Sequence, residues 1–238
     1  MKIVKLSIML VSLGAIFAFL YFGWRFTIVT VLIALAMLCL SWIFQGAMHE
    51  VGHFFFGRLS GYKLVVLQYS RFNFMCNRRG DFSIAVRKTK GGQCIMLPPD
   101  KMPVRYVAYN LGGILFNVII ALASGALLLL NKPFFTMLFI ELFLMGVYKA
   151  CANAIPSSKG SALTDGYVLK LLRKKPAVQY DYARYLSLYA AMFWDEEIDA
   201  AEFTYDREHT DREEELIYYN EIQDILRELS EEQISEQK

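Results

Sequence analysis

Four apolar stretches dominate this chain, at roughly 6–23, 26–47, 106–130 and 134–155, and each is long enough to cross a bilayer as a helix. A hydrocarbon core of about 30 Å takes about 20 helical residues. Inside it every backbone polar group must find its partner within the segment, so helices are expected. The expected fold class is an all-α polytopic membrane protein with about four transmembrane helices. Lys2 and Lys5 precede the first run, as in a signal peptide. That run is long and no small-x-small cleavage site closes it, so a retained helix is expected.

Charge divides the chain. Residues 1–166 hold 16 of the 25 Lys/Arg but only 5 of the 23 Asp/Glu, which leaves 9 basic and 18 acidic residues in 167–238. Segment 57–105 carries ten basic residues, from Arg58 to Arg105, whereas 131–133 carries only Lys132. Lys170, Arg173, Lys174 and Lys175 follow the last run. Basic residues stay on the cytoplasmic side. Both termini and segment 57–105 are therefore expected there, in a bacterial plasma membrane. The divisions expected are 1–25 as a first transmembrane helix, 26–175 as a core with a β-hairpin loop at 58–105, and 176–238 as an acidic helical cytosolic tail.

Within that loop KLVVLQYSRFNF and DFSIAVRKT have strand composition, and GGQCIMLPPD supplies turn residues. In the tail, Leu216, Tyr219, Ile222, Ile225 and Leu229 fall at helical spacing. The tail is a candidate surface for a cytosolic partner, and no nucleic acid partner is expected. Cys39, Cys76, Cys94 and Cys151 form no CxxC pair and are expected as free or packed thiols.

The chemistry concentrates at MHEVGHFFFG, where His49, Glu50 and His53 form an H-E-x-x-H. On a helix, positions i and i+4 share a face, so both imidazoles can reach one metal. Glu50 stands beside them, where it can take a proton from water activated by zinc. Two of the chain's three histidines occupy this pattern. The third, His209, lies far off in the tail and is expected as a surface residue. A catalytic zinc site has three protein ligands and one open position. The other acids before residue 167 are Asp81, Asp100, Glu141 and Asp165. Asp165, followed by Gly166, lies on the same side of the membrane as the histidines in this topology and is the expected third ligand. Its alternative role is a helix N-cap. Glu141 lies well inside the fourth run, toward the other face.

The chain resembles the site-2 protease family of intramembrane zinc metalloproteases over roughly residues 26–170. The likeness rests on His49 to His53, on Gly113 and Asn117 in LGGILFN, and on Asn153, Pro156, Asp165 and Gly166. It implies that Asp165 completes a Zn2+ site and that Asn153 helps hold the substrate backbone or active-site water. It also implies substrate-binding roles for Asn117 and Gly113. The implied activity is endopeptidase cleavage in or near a transmembrane segment of a membrane protein or precursor peptide. Two departures stand out: Ile114 replaces the family's proline after Gly113, and eight residues, SSKGSALT, separate Pro156 from Asp165 where many members have about four. Two alternatives remain at this stage. One is a membrane-anchored zincin with a glutamate as third ligand; the other is a non-catalytic relative that binds membrane segments or serves as a regulatory partner.

Overall fold

The computed structural model describes residues 14, 28–86, 91–99, 105–129, 133–158, 163–173, 175–194, 198, 200–205 and 213–236. The expected span at 6–23 (Gly14 apart) and His209 lie outside the described residues. Helix α1 runs unbroken over Ile28–Leu59, and the strands β1 (Lys63–Tyr69), β2 (Phe72–Cys76), β3 (Phe82–Val86) and β4 (Gly92–Leu97) follow. Then come α2 (Tyr106–Leu128), α3 (Pro133–Ala154), α4 (Asp165–Leu172), α5 (Pro176–Phe193), the short α6 (Ala200–Phe203), a 3-10 turn at Glu213–Glu215, and α7 (Ile217–Glu236).

The backbone packs as two compact units, Met1–His53 with Leu111–Gly166, and Phe54–Asn110 with Tyr167–Lys238. This division differs from the one drawn from charge, because packing groups the sheet with the tail helices.

In the first unit, α1, α2 and α3 supply three helices long and apolar enough to cross a membrane, with mean hydropathies of 2.3, 2.2 and 1.6. Their burial is inverted relative to a water-soluble bundle. Ser41, Gln45, His49, Glu50, His53, Asn117, Ser124 and Glu141 are buried, while Ile28, Leu32, Leu40, Ile43, Ile119 and Leu122 are 53–80% exposed. Such a surface is costly in water and neutral against lipid tails. Polar residues in membrane helices turn inward because hydrocarbon cannot hydrogen-bond to them. Small residues let the helices touch: a Cβ on Gly52 or on Gly112 would run into the other's carbonyl oxygen.

The second unit holds an antiparallel sheet in the order β3-β2-β1-β4. A hairpin or small sheet was expected in this segment, and the sheet has four strands. Residues 92–97, expected as turn, form β4, whose Cys94, Ile95 and Met96 are buried. The flanking glycines and prolines hid a short apolar run that pairs with β1 from Lys63↔Leu97 to Tyr69↔Gly92. Helix α5 packs on β4 and β1 and against α7. The Trp194 indole donates to the Cys76 carbonyl at 2.7 Å, and Tyr109 Oη donates to the Cys94 carbonyl at 2.6 Å. Leu188, Phe203 and Ile222 form a buried cluster joining α5, α6 and α7. The acidic residues are not all solvated: Glu215 is 1% exposed, and one carboxylate oxygen lies 2.8 Å from Lys175 Nζ. All four cysteines are free.

Candidate metal centre

The site is built within the first unit from three chain segments. α1 carries Ser41, Gln45, His49 and His53 at successive four-residue steps, so one polar stripe runs down an otherwise apolar helix. α2 presents Gly113 and Asn117 to this stripe. The end of α3 leads through residues 155–164 to Asp165.

His49 Nε2 and His53 Nε2 are 3.2 Å apart. Asp165 Oδ2 lies 3.2 Å from His49 Nε2, and Asp165 Oδ1 lies 3.4 Å from His53 Nε2. Asp165 Oδ2 is buried, and among the described residues it has no hydrogen-bond partner beyond its approach to the His49 ring. Two nitrogens at about 2.0–2.1 Å from a tetrahedral Zn2+ would themselves stand about 3.3–3.4 Å apart. The two nitrogens stand close to that spacing, each has one Asp165 oxygen at a similar distance, and two imidazoles with a carboxylate suit zinc, so the residues fit this metal. His49, His53 and Asp165 are the group found among the described residues whose ligand atoms converge this way. Glu141, the rival ligand, is 1% exposed within α3 and does not belong to it.

His49 is oriented from behind. Its Nδ1 lies 2.9 Å from Asn117 Oδ1, an acceptor, so Nδ1 carries a hydrogen, and in the neutral ring Nε2 keeps the lone pair that a metal would take. Asn117 Nδ2 in turn donates at 2.8 Å both to the Gln45 backbone carbonyl and to Gln45 Oε1. Gly113 faces the imidazoles: a Cβ there would stand 2.6 Å from His49 Nδ1 and 2.6 Å from His53 Nε2. Glu50 is 9% exposed and follows His49 in the chain.

The long spacer before Asp165 is closed at its base. Ser157 N donates to Thr164 Oγ1 at 3.0 Å, Thr164 N donates to the Ser157 carbonyl at 3.2 Å, and Thr164 Oγ1 donates to the Ile155 carbonyl at 3.0 Å. Ser157 and Thr164 are thus held together, and Asp165 follows α3 closely in space. Gly166 permits this, since a Cβ on it would strike the Ala154 carbonyl oxygen. The Asn153 side chain donates to the Lys149 carbonyl at 3.1 Å, one turn back on its own helix.

Burial by itself would raise the Asp165 carboxyl, but the two imidazoles against it outweigh burial and hold it at about 2. A carboxylate with a depressed folded pKa adds stability above its unfolded value, about 3.9 for Asp, and loses it as pH falls through the folded value. Asp165→Asn is therefore expected to lower the melting temperature of the metal-free protein above about pH 4. The gap from wild type should close as the pH approaches about 2. A gap that persists unchanged to that pH would contradict the ionic contact.

Compared with protein-family models, with curated proteins and with solved structures, the chain gives no match. Gln45 and Thr164 escaped the sequence reading. Gln45 had a signal, as a polar residue four positions before His49 inside an apolar run. Thr164 had none, because its role exists only once the loop closes.

Proposed function

We propose that this protein is a zinc-dependent endopeptidase that hydrolyses a peptide bond in or near a transmembrane segment of a membrane-anchored protein or precursor peptide. The carrying observation is the convergence of His49 Nε2, His53 Nε2 and the Asp165 carboxylate, whose ligand atoms all lie within 4.8 Å of one another. The inverted burial of α1–α3 supports a site at membrane depth. Ten residues separate His49 from the end of α1, or about 15 Å along the axis. The basic segment 57–105 argues for a cytoplasmic orientation of that end.

Bound Zn2+ would supply Lewis acidity, polarising the scissile carbonyl and making water acidic near neutral pH. Glu50 then takes the proton from the attacking water and passes it to the leaving amine. Asn117 holds His49 in the tautomer that leaves Nε2 able to bind. Gly113 keeps the space that both rings occupy. Asn153, half-buried near the end of α3, is the polar group proposed to meet the substrate backbone, whereas Asn117, fully buried and bonded to His49 and Gln45, serves the metal ligand instead. A helical substrate hides its carbonyls in its own hydrogen bonds, so local unwinding precedes attack.

Metal content measured on purified wild type beside His49→Ala and Asp165→Ala is the direct test. Wild type should hold near-stoichiometric zinc and both variants should lose most of it. Zinc equally absent from all three would leave the His–Asp cluster as an ion pair, and retention by Asp165→Ala would return the third ligand to a glutamate.

A further inference from the structure

We infer that Gln45 is a positioning residue for this centre, tying the helix that bears His49 to both neighbouring helices through one amide of fixed polarity. The inference rests on the zinc reading above and goes one step further out from the metal.

Gln45 is fully buried on α1, one turn before His49. Its Nε2 donates to the Leu142 carbonyl of α3 at 2.9 Å, and its Oε1 accepts from Asn117 Nδ2 of α2 at 2.8 Å. A backbone carbonyl can only accept. The Leu142 carbonyl therefore selects the Nε2 end of Gln45, which turns Oε1 toward α2. Oε1 and the Gln45 backbone carbonyl together select the Nδ2 end of Asn117. That leaves Asn117 Oδ1 for His49 Nδ1 at 2.9 Å, and the His49 lone pair at Nε2. Every bond in this path thus runs from a donor to an acceptor.

The Gln45 backbone carbonyl already orients Asn117. The side chain adds the bond to α3, the helix whose far end leads to Asp165. Gly146 leaves room for it, since a Cβ there would stand 2.7 Å from Gln45 Nε2. A leucine or methionine would satisfy an apolar helix in the same volume. A fully buried amide bonded to two other helices instead places α1, α2 and α3 relative to one another at the metal.

The test measures zinc affinity and metal-free melting temperature on the full chain in detergent, for wild type, Gln45→Met, Asn117→Leu and the double variant. Partners that orient a metal ligand typically govern about 10–100-fold in affinity. Gln45→Met is expected to weaken zinc binding by on the order of 10-fold. In the Asn117→Leu background the same change should alter affinity by less than it does in wild type, because the route through Asn117 to His49 is already cut and only the tie to α3 is left to lose. Should Gln45→Met fail to fold, Gln45→Glu keeps the volume and one acceptor but opposes a carboxylate to the Leu142 carbonyl; weakened zinc binding is expected there too. Zinc affinity equal to wild type in a folded Gln45 variant overturns the inference, even if the metal-free melting temperature drops. Effects of the two substitutions that multiply overturn it as well. Failure of the zinc reading itself shows separately, as wild type that binds zinc no better than His49→Ala.

Discussion

Glu50→Gln is expected to stop peptide hydrolysis while zinc stays bound. The substitution keeps the size and the hydrogen-bonding reach of the side chain but removes its ability to take a proton. Glu50 is not among the three residues whose ligand atoms converge, so occupancy should not fall. General acid–base catalysis contributes on the order of 10²–10⁴-fold, and loss of the group that moves the proton twice should place the variant at the upper end. Cleavage of a co-expressed membrane substrate, read beside metal content, separates the two effects. Continued cleavage at near wild-type rate would remove Glu50 from its assigned role. Loss of zinc along with activity would instead make the glutamate part of the metal's support.

Gly113→Ala should be nearly as damaging by a different route. It adds one methyl group and no charge, yet that carbon would stand 2.6 Å from His49 Nδ1 and 2.6 Å from His53 Nε2. Neither ring can retreat freely. His49 is held by Asn117, and beside His53 the helices α1 and α2 already meet at Gly52 and Gly112 with no room for a side chain. Both ligands must shift, so zinc affinity is expected to fall by about 100-fold or more, beyond the usual effect of a supporting residue. Gly125→Ala is the control on the same helix. Its added carbon would meet only Phe143 ring atoms, at 3.3 and 3.5 Å, and zinc binding should survive. Normal zinc affinity in Gly113→Ala would show that the imidazoles do not sit where the distances place them.

The three apolar runs within the described residues translated directly into helices. Those expected at 106–130 and 134–155 appear as Tyr106–Leu128 and Pro133–Ala154, because long hydrophobic stretches leave the backbone few alternatives. The run at 26–47 proved to be part of a longer helix that carries the motif with it to Leu59. Strands were harder. β4 is six residues between turn formers, and a short strand is stabilised by its neighbour rather than by its own composition. The sheet-to-tail packing was likewise illegible, since the tail stripe shows that a face is buried but not against what.

At the centre, His49, Glu50 and His53 were readable because one helix sets their spacing, and helical geometry is a local property of the chain. Asp165 could be named as a candidate but not placed, because it lies 112 positions after His53, beyond the sheet and two more helices. The clasp of Ser157 and Thr164, the clearance at Gly113 and the amide path from Leu142 through Gln45 to His49 belong to tertiary structure alone. Each depends on atoms from different helices arriving within hydrogen-bond or van der Waals distance, and no local rule of sequence specifies such a meeting.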